Sequence, residues 1–422
     1  MSGAVAAHAA YNGSGTQGLA VTNKIDEDDG DVMSVFWNKN DTTRQLLFGS
    51  AFVEVPSSGG SGSNDAHKNN NIIFDVNNDI DCLGDMVLNV KYTSSASNNI
   101  TSQILASLVS RVEVQVGTQI WQTFENADLL ALASTELSSG SFADFCFQTS
   151  GGVLNNNQFS NIKPGGTVAA GAGANAYIPL KLLTKTLGPR LENFAEQTES
   201  GYLMAAAPHQ QVKVKVYTSG ALLTGSIELA LYAKNQVMCN EEREQMKAMP
   251  MGLPKRLKMT QNKSHVTSAG NQTTLDLDLD IFSLYASHII ISIPWASSSN
   301  NASDFYAAYA ELLLNSSSFS GKLPLGLLKL TGPSMGLFTN EYRGGGTTGA
   351  SNSSLNLTFV FPLASQAYGG SSVPLNRFDN IRLKLTGLPS SSGIASGANV
   401  NITCVGETTA LYKGGAASLA MY

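Results

Sequence analysis

Apolar residues recur at every second position over much of this chain. In RVEVQV (111–116), Val112, Val114 and Val116 share one face, and Arg111, Glu113 and Gln115 share the other. HQQVKVKVY (209–217), IELALY (227–232), LDLDLDIF (275–282) and IRLKLTG (381–387) repeat the alternation. A period of two places successive side chains on opposite faces of an extended strand, so each segment predicts a half-buried antiparallel strand. HIIISIPW (288–295) and LNLTFVFPL (355–363) are apolar at nearly every position and predict more fully buried strands. Gly, Ser, Asn and Pro fill the gaps and supply turns. The expected class is all-β, with sandwich or jelly-roll architecture. The helical period enters at FENADLLALASTELSSG (124–140), where Leu129, Leu130, Leu132, Ala133 and Leu137 form a stripe. Asn126 is the predicted cap and Asp128 lies in the first turn. EEREQMKAM (241–249), capped by Asn240, is a second and weaker helical segment.

The chain has 422 residues, which at roughly 100–200 residues per domain predicts two domains. The strand patterns of residues 45–235 and 255–412 match in length and order. Between them stands CNEEREQMKAMPMGLPKRLK (239–258), dense in charge although only 14% of the chain is charged. Pro250 and Pro254 stop a helix there. The pattern predicts an N-terminal arm (1–44), a first β unit (45–238), a charged junction (239–258), and a second β unit with a C-terminal tail (259–422). The Gly-, Ser- and Asn-rich stretches 57–71, 165–176 and 342–354 predict loops.

Candidate chemistry narrows the picture by exclusion. The net charge is −6, and DEDDGD (26–31) is acidic, which argues against direct contact with nucleic acid. The four cysteines, Cys82, Cys146, Cys239 and Cys404, are far apart and form no C-x-x-C, so free thiols in a reducing compartment are expected. Residues 1–20 have neither the basic start nor the continuous apolar core of a secretion signal, and no apolar run reaches the ~18 residues that span a bilayer. A soluble chain made in a cytosol is the expectation. His8, His67, His209, His265 and His288 are isolated, and no G-x-S-x-G or P-loop pattern occurs. No enzyme, metal or cofactor is therefore predicted. Asp276, Asp278 and Asp280 share a face, but positions two apart on a strand are roughly 6.5–7 Å apart, too wide for one ion, and a solvated face is the reading. Glu241, Glu242 and Glu244 could pair as glycosidase carboxylates, yet nothing else suggests a sugar cleft.

The order of the elements carries a resemblance. LVSRVEVQVGTQIWQTFENADLLAL (108–132) resembles a strand pair followed by a helix, and AYIPLKLLTKTLGPRL (176–191) with HQQVKVKVY (209–217) resembles a later run of the same family. LYAKNQVMCNEEREQMKAMPMGLPKRLKM (231–259) is similar to that family's domain junction, and LTFVFPLASQAYGGSSVPLNRFDNIRLKLTG (357–387) to its late strand. The family is that of the double jelly-roll major capsid proteins of large eukaryotic DNA viruses, chlorella-virus type, and more loosely those of virophages and Polinton-like viruses. VMSVFWNKNDTTRQLLFG (32–49) departs from the family's N-terminal motif.

The resemblance implies two consecutive eight-stranded jelly rolls with short helices in loops. It implies a structural protein forming homotrimeric, pseudo-hexagonal capsomers that tile an icosahedral shell. Expected partners are neighbouring capsomers, minor or penton proteins and an inner membrane, with no nucleic acid. The expected location is the virion, after synthesis in the host cytoplasm. Glu241, Glu242, Arg243, Pro250 and Pro254 would form the inter-domain junction, with Arg243 at the family's junction arginine. Asn376, Arg377 and Asp379 would form the late-strand turn. The alternative from another class is a secreted or surface carbohydrate-binding β-sandwich, a lectin or adhesin. It calls for a secretion signal and aromatic platforms, whereas Trp37, Trp121 and Trp295 mostly fall in strand contexts.

Overall fold

The computed structural model describes residues 50–58, 71–76, 80, 82–94, 98–100, 108–149, 166–168, 173–180, 203–204, 211–218, 225–236, 253–268, 272–295, 303–343, 355–365, 367, 372–389, 394, 398–413 and 416–420. The arm 1–44 and the helical segment expected at 241–249 lie outside these residues.

The first half contributes β1 (Ser50–Val55), β2 (Ser57–Ser58), β3 (Asn71–Val76), β4 (Cys82–Ser94), β5 (Asn98–Ile100), β6 (Val109–Val116), β7 (Gln119–Glu125), β8 (Gly166–Val168), β9 (Gly173–Leu180), β10 (Leu203–Met204), β11 (Val212–Thr218) and β12 (Gly225–Gln236). Sheet I runs β1–β12–β4, with β9 and the short β10 sharing the far edge of β4, and sheet II runs β2–β3–β11–β6–β7. The second half contributes β13 (Leu253–Val266), β14 (Thr274–Asp278), β15 (Tyr285–Trp295), β16 (Tyr309–Leu314), β17 (Ser317–Ser318), β18 (Leu323–Pro324), β19 (Tyr342–Arg343), β20 (Leu355–Pro362), β21 (Val373–Pro374), β22 (Ile381–Thr386), β23 (Asn399–Lys413) and β24 (Ala416–Ala420). Sheet III runs β13–β23–β15–β20–β19, and sheet IV runs β14–β22–β16–β17.

The two halves share one topology. Numbering β1, β3, β4, β6, β7, β9, β11 and β12 from 1 to 8 makes sheet I read 1–8–3–6 and sheet II 2–7–4–5. With β13, β14, β15, β16, β17, β20, β22 and β23 in the same places, sheets III and IV read identically. Two facing antiparallel sheets with this interleaved order form a jelly roll, so the fold is all-β with two jelly rolls in succession.

Alternation in the sequence becomes rows of side chains across each sheet. In sheet II, Ile72, Val216, Val112 and Phe124 face one another across four strands. Val55, Leu231, Leu88 and Ile178 do the same in sheet I, and both rows are buried. In the second roll, Ile402, Ile291 and Phe359 of sheet III form the same core as Leu277, Leu383 and Leu312 of sheet IV. Each such side chain contributes about 1.5–3 kcal/mol before chain entropy is counted.

Four helices punctuate the described strands: α1 (Asn126–Glu136), α2 (Ser139–Thr149), α3 (Ser303–Tyr306) and α4 (Leu325–Met335). The expected cap at Asn126 is corrected, because Glu125 occupies the cap and the Asn126 amide instead donates to the Val109 carbonyl at 3.1 Å. α4 was not expected, since Gly326, Gly332 and Pro333 are poor helix formers. Tertiary packing overrides propensity there. Leu325, Leu328, Gly332 and Met335 fall on one buried side, Pro333 lies in the last turn, and Gly336 closes the helix at φ 88°.

Candidate functional site

The central part of sheet III, in β15, β20 and the first half of β23, is buried on both faces. One face belongs to the second roll's own core. On the other, Asn262, Thr403, Ile290 and Val360 form one row across β13, β23, β15 and β20. Thr260, Val405 and His288 form the next, and Asn401, Ser292 and Thr358 a third. β7 and α1 of the first roll cover this face. Ile290, Val360 and Val405, with Met335 and Leu337, join the hydrophobic cluster of the first roll. The two rolls thus share a packed joint.

Its polar groups are matched across the halves. The Thr403 hydroxyl donates to Asp128 Oδ1 at 3.0 Å, and Gln122 Nε2 to Thr260 Oγ1 at 3.4 Å. The Phe338 N–H donates to the Thr135 carbonyl at 2.7 Å, and the Asn340 N–H to the Ser134 carbonyl at 3.1 Å. Asn340 Nδ2 reaches the Leu137 carbonyl at 2.9 Å, closing the end of α1. Because these paired groups find their partners on the other roll, parting the rolls exposes or orphans both, which makes the joint specific as well as cohesive.

Asp128 is a buried carboxyl in the joint. It forms a capping box with Glu125, whose N–H donates to Asp128 Oδ2 at 3.1 Å. Burial pushes its carboxyl from 3.8 up to about 7; the Glu125 N–H and Thr403 hydroxyl hold it down in part, and the Glu125 carboxylate adds to the rise.

Glu241, Glu242, Arg243 and Pro250 lie outside the described residues. Pro254 lies within β13, whose first six residues, Leu253–Lys258, pair with Glu407–Tyr412 of β23. Asn376 and Arg377 belong to a 3-10 turn, Leu375–Arg377. Asp379 and Asn380 follow it, and their N–H groups both donate to Asn315 Oδ1, at 3.0 and 3.1 Å. This turn therefore clamps the β16–β17 hairpin, where Asn315 and Ser316 adopt φ of 49° and 66°. Asn315→Ala removes the acceptor for two N–H groups at a left-handed position, and a loss of about 1–3 kcal/mol is expected in thermal unfolding, with Asn315→Asp close to wild type.

The three aspartates do not share one strand face as expected. β14 ends at Asp278, and Asp280 lies in the following turn, where its carboxylate accepts the Ile381 N–H at 2.6 Å. Asp278 accepts the Asp280 N–H at 3.0 Å, which holds its carboxyl below the usual range. Asp276 faces Arg382 at 3.5 Å. Cys146 and Cys404 are buried thiols outside any disulfide, and burial pushes that of Cys404 upward.

Sequence reasoning missed the joint residues Asp128, Thr403, Ser134, Thr358 and Asn340. A signal existed. Thr358 and Thr403 are hydroxyl residues within buried strand segments, and each reaches a polar group of α1, Ser134 and Asp128 respectively.

Neither a protein-family model nor a curated protein sequence matches the chain. Solved structures do. VP54 of PBCV-1, fitted into a reconstruction of the virophage Sputnik, superposes with a TM-score of 0.64 at 13% identity, covering 90% of this chain and 98% of that one. The Faustovirus major capsid protein superposes with a TM-score of 0.55 at 8% identity, covering 97% of each chain. At these identities the likeness is one of fold, and the chain has the double jelly-roll fold of these viral capsid proteins.

Proposed function

We propose that the chain is the major shell protein of an icosahedral virus, a structural protein and not an enzyme. The observation that carries the reading is the pair of topologically identical rolls locked by a buried joint with cross-roll hydrogen bonds, matched over nearly the full length of PBCV-1 VP54 and of the Faustovirus major capsid protein. Two rolls held in one relation make a rigid building block, and three chains around an axis present six rolls in a pseudo-hexagonal capsomer. Such a ring repeats one heterologous contact by rotation. In this reading residues 45–238 and 253–422 are the two units. Residues 239–252 connect them, and residues 1–44 form an arm toward neighbouring capsomers, minor or penton proteins and an underlying membrane. The chain resides in the virion after synthesis in the host cytoplasm and does not contact the genome directly. A carbohydrate-binding sandwich gains no support from these fold neighbours.

Native mass spectrometry and negative-stain imaging of the purified protein test the proposal. Trimers with a hexagonal outline are expected at micromolar concentration, with no appreciable monomer. A stable, monodisperse monomer would overturn it.

A further inference from the structure

α1 has no stop signal of its own. Its C-cap, Leu137, is extended at φ −82°, and its last turn holds no basic residue. A left-handed glycine or a cation would ordinarily serve the free carbonyls at such an end. The second roll serves them instead. The Phe338 N–H donates to the Thr135 carbonyl at 2.7 Å and the Asn340 N–H to that of Ser134 at 3.1 Å. Asn340 Nδ2 donates to the Leu137 carbonyl at 2.9 Å, and the Ser139 hydroxyl, at the start of α2, donates to Asn340 Oδ1 at 3.1 Å.

The segment that supplies these donors, residues 338–341, stands outside any strand. It leaves α4 through the buried Leu337 and reaches the edge of sheet III at β19. Alternate residues serve opposite partners. Phe338 and Asn340 bond α1, whereas Thr339 and Glu341 bond Lys329 of α4. Lys329 Nζ donates to the Thr339 carbonyl at 3.0 Å and pairs with Glu341 Oε1 at 3.0 Å. It also lies 5.6 Å from the centroid of the Phe359 ring. The Tyr306 hydroxyl of α3 donates to the same Glu341 oxygen at 3.4 Å. Gly332 admits the segment, because a Cβ there would come within 2.6 Å of Thr339 Cγ2. The Lys329 side chain is 14% exposed, so these groups rather than water serve its charge.

We infer that residues 338–341 form a latch, pinned by Lys329, that opens as a unit: its release frays the C-terminal turn of α1 and is the first step in parting the two rolls, with every sheet still intact. Local opening begins where few apolar contacts are buried and hydrogen bonds lie near solvent. The latch meets that description, since Phe338 is 37% exposed, whereas Ile290 and Val360 on the sheet III face of the joint are fully buried. Its hold on α1 consists of single hydrogen bonds, and its hold on α4 centres on one ammonium group.

Hydrogen–deuterium exchange of the full chain, resolved to single residues by fragmentation mass spectrometry, tests the inference. In wild type the Phe338, Asn340 and Leu137 amides are expected to share one degree of protection, below that of Val112, Val214 and Ile291 in the sheets. Lys329→Met keeps most of the stem and removes the charge. It should speed exchange at all three amides by on the order of tenfold, with the strand amides and the circular dichroism unchanged. Glu341→Gln removes the opposite charge and should give the same pattern at smaller amplitude; it carries the test alone if the methionine variant does not fold. Wild-type rates at Phe338 and Asn340 in these variants would show that Lys329 is not the pin. Faster exchange at those two without Leu137 would show that the segment and the end of α1 do not open together. Equal acceleration at the strand amides would mean that the rolls unfold as a whole and that no latch exists.

Discussion

Val360→Asp parts the two jelly rolls while each keeps its sheets. Val360 is fully buried and pairs in register with Ile290, which pairs in turn with Thr403. All three side chains share the sheet III face that α1 covers, Gly332 of α4 also lies against Val360, and Val360 and Ile290 belong to the first roll's hydrophobic cluster. The row Asn262, Thr403, Ile290 and Val360 contains no cation to pair with a new carboxylate. An unpaired charge in such a place costs about 3–5 kcal/mol, more than most single interactions supply. The core between sheets III and IV lies on the other side of the sheet and stays intact. Calorimetry is therefore expected to resolve an early transition for the joint ahead of the main one, with the β-sheet circular dichroism of wild type at room temperature. Val360→Ala removes packing without charge and should cost about 2 kcal/mol with a single transition. A charged variant that melts like wild type in one step would mean that the joint contributes little to holding the rolls together.

Strand positions were legible where one face met water. RVEVQV and IRLKLTG alternate because their polar positions point outward, and the structure places Val112, Val114, Leu383 and Leu385 inward. HIIISIPW and LNLTFVFPL do not alternate because each has a core on one face and the joint on the other. The pattern showed that they were buried but not what buried them. That information lies in pairs such as Asp128 with Thr403, 275 positions apart, which no local window contains. The contacts that join the rolls among the described residues come from β7, from α1, from the segment after α4, and from sheet III. α4 was illegible for a different reason: its glycines and proline lower helix propensity, and packing against β20 supplies what propensity does not.

Asp128 makes the joint weaker as the pH rises, the reverse of ordinary acid denaturation. Its carboxyl is raised from 3.8 to about 7, first by burial, then by the neighbouring Glu125 carboxylate, against the hydrogen bonds from the Glu125 N–H and the Thr403 hydroxyl. A group whose folded value lies above its unfolded value binds its proton more tightly in the folded protein. The stability it allows is therefore complete below 3.8 and is lost as the pH climbs through about 7. About three pKa units correspond to about 4 kcal/mol across that window. Asp128→Asn stays neutral, keeps an oxygen for the Glu125 N–H and turns its amide toward Thr403. Urea unfolding of the two proteins at pH 5 and pH 8 isolates the effect, because every other titrating group contributes equally to both. Wild type is expected to lose stability relative to Asp128→Asn as the pH rises, by a few kcal/mol. Thr403→Val deletes the hydroxyl that favours the ionised form, so its loss should begin at the same pH as in wild type, run on to a higher pH and reach further. Parallel pH profiles for wild type and Asp128→Asn would show that the carboxylate is ionised in the folded joint throughout, held there by a cation or by water.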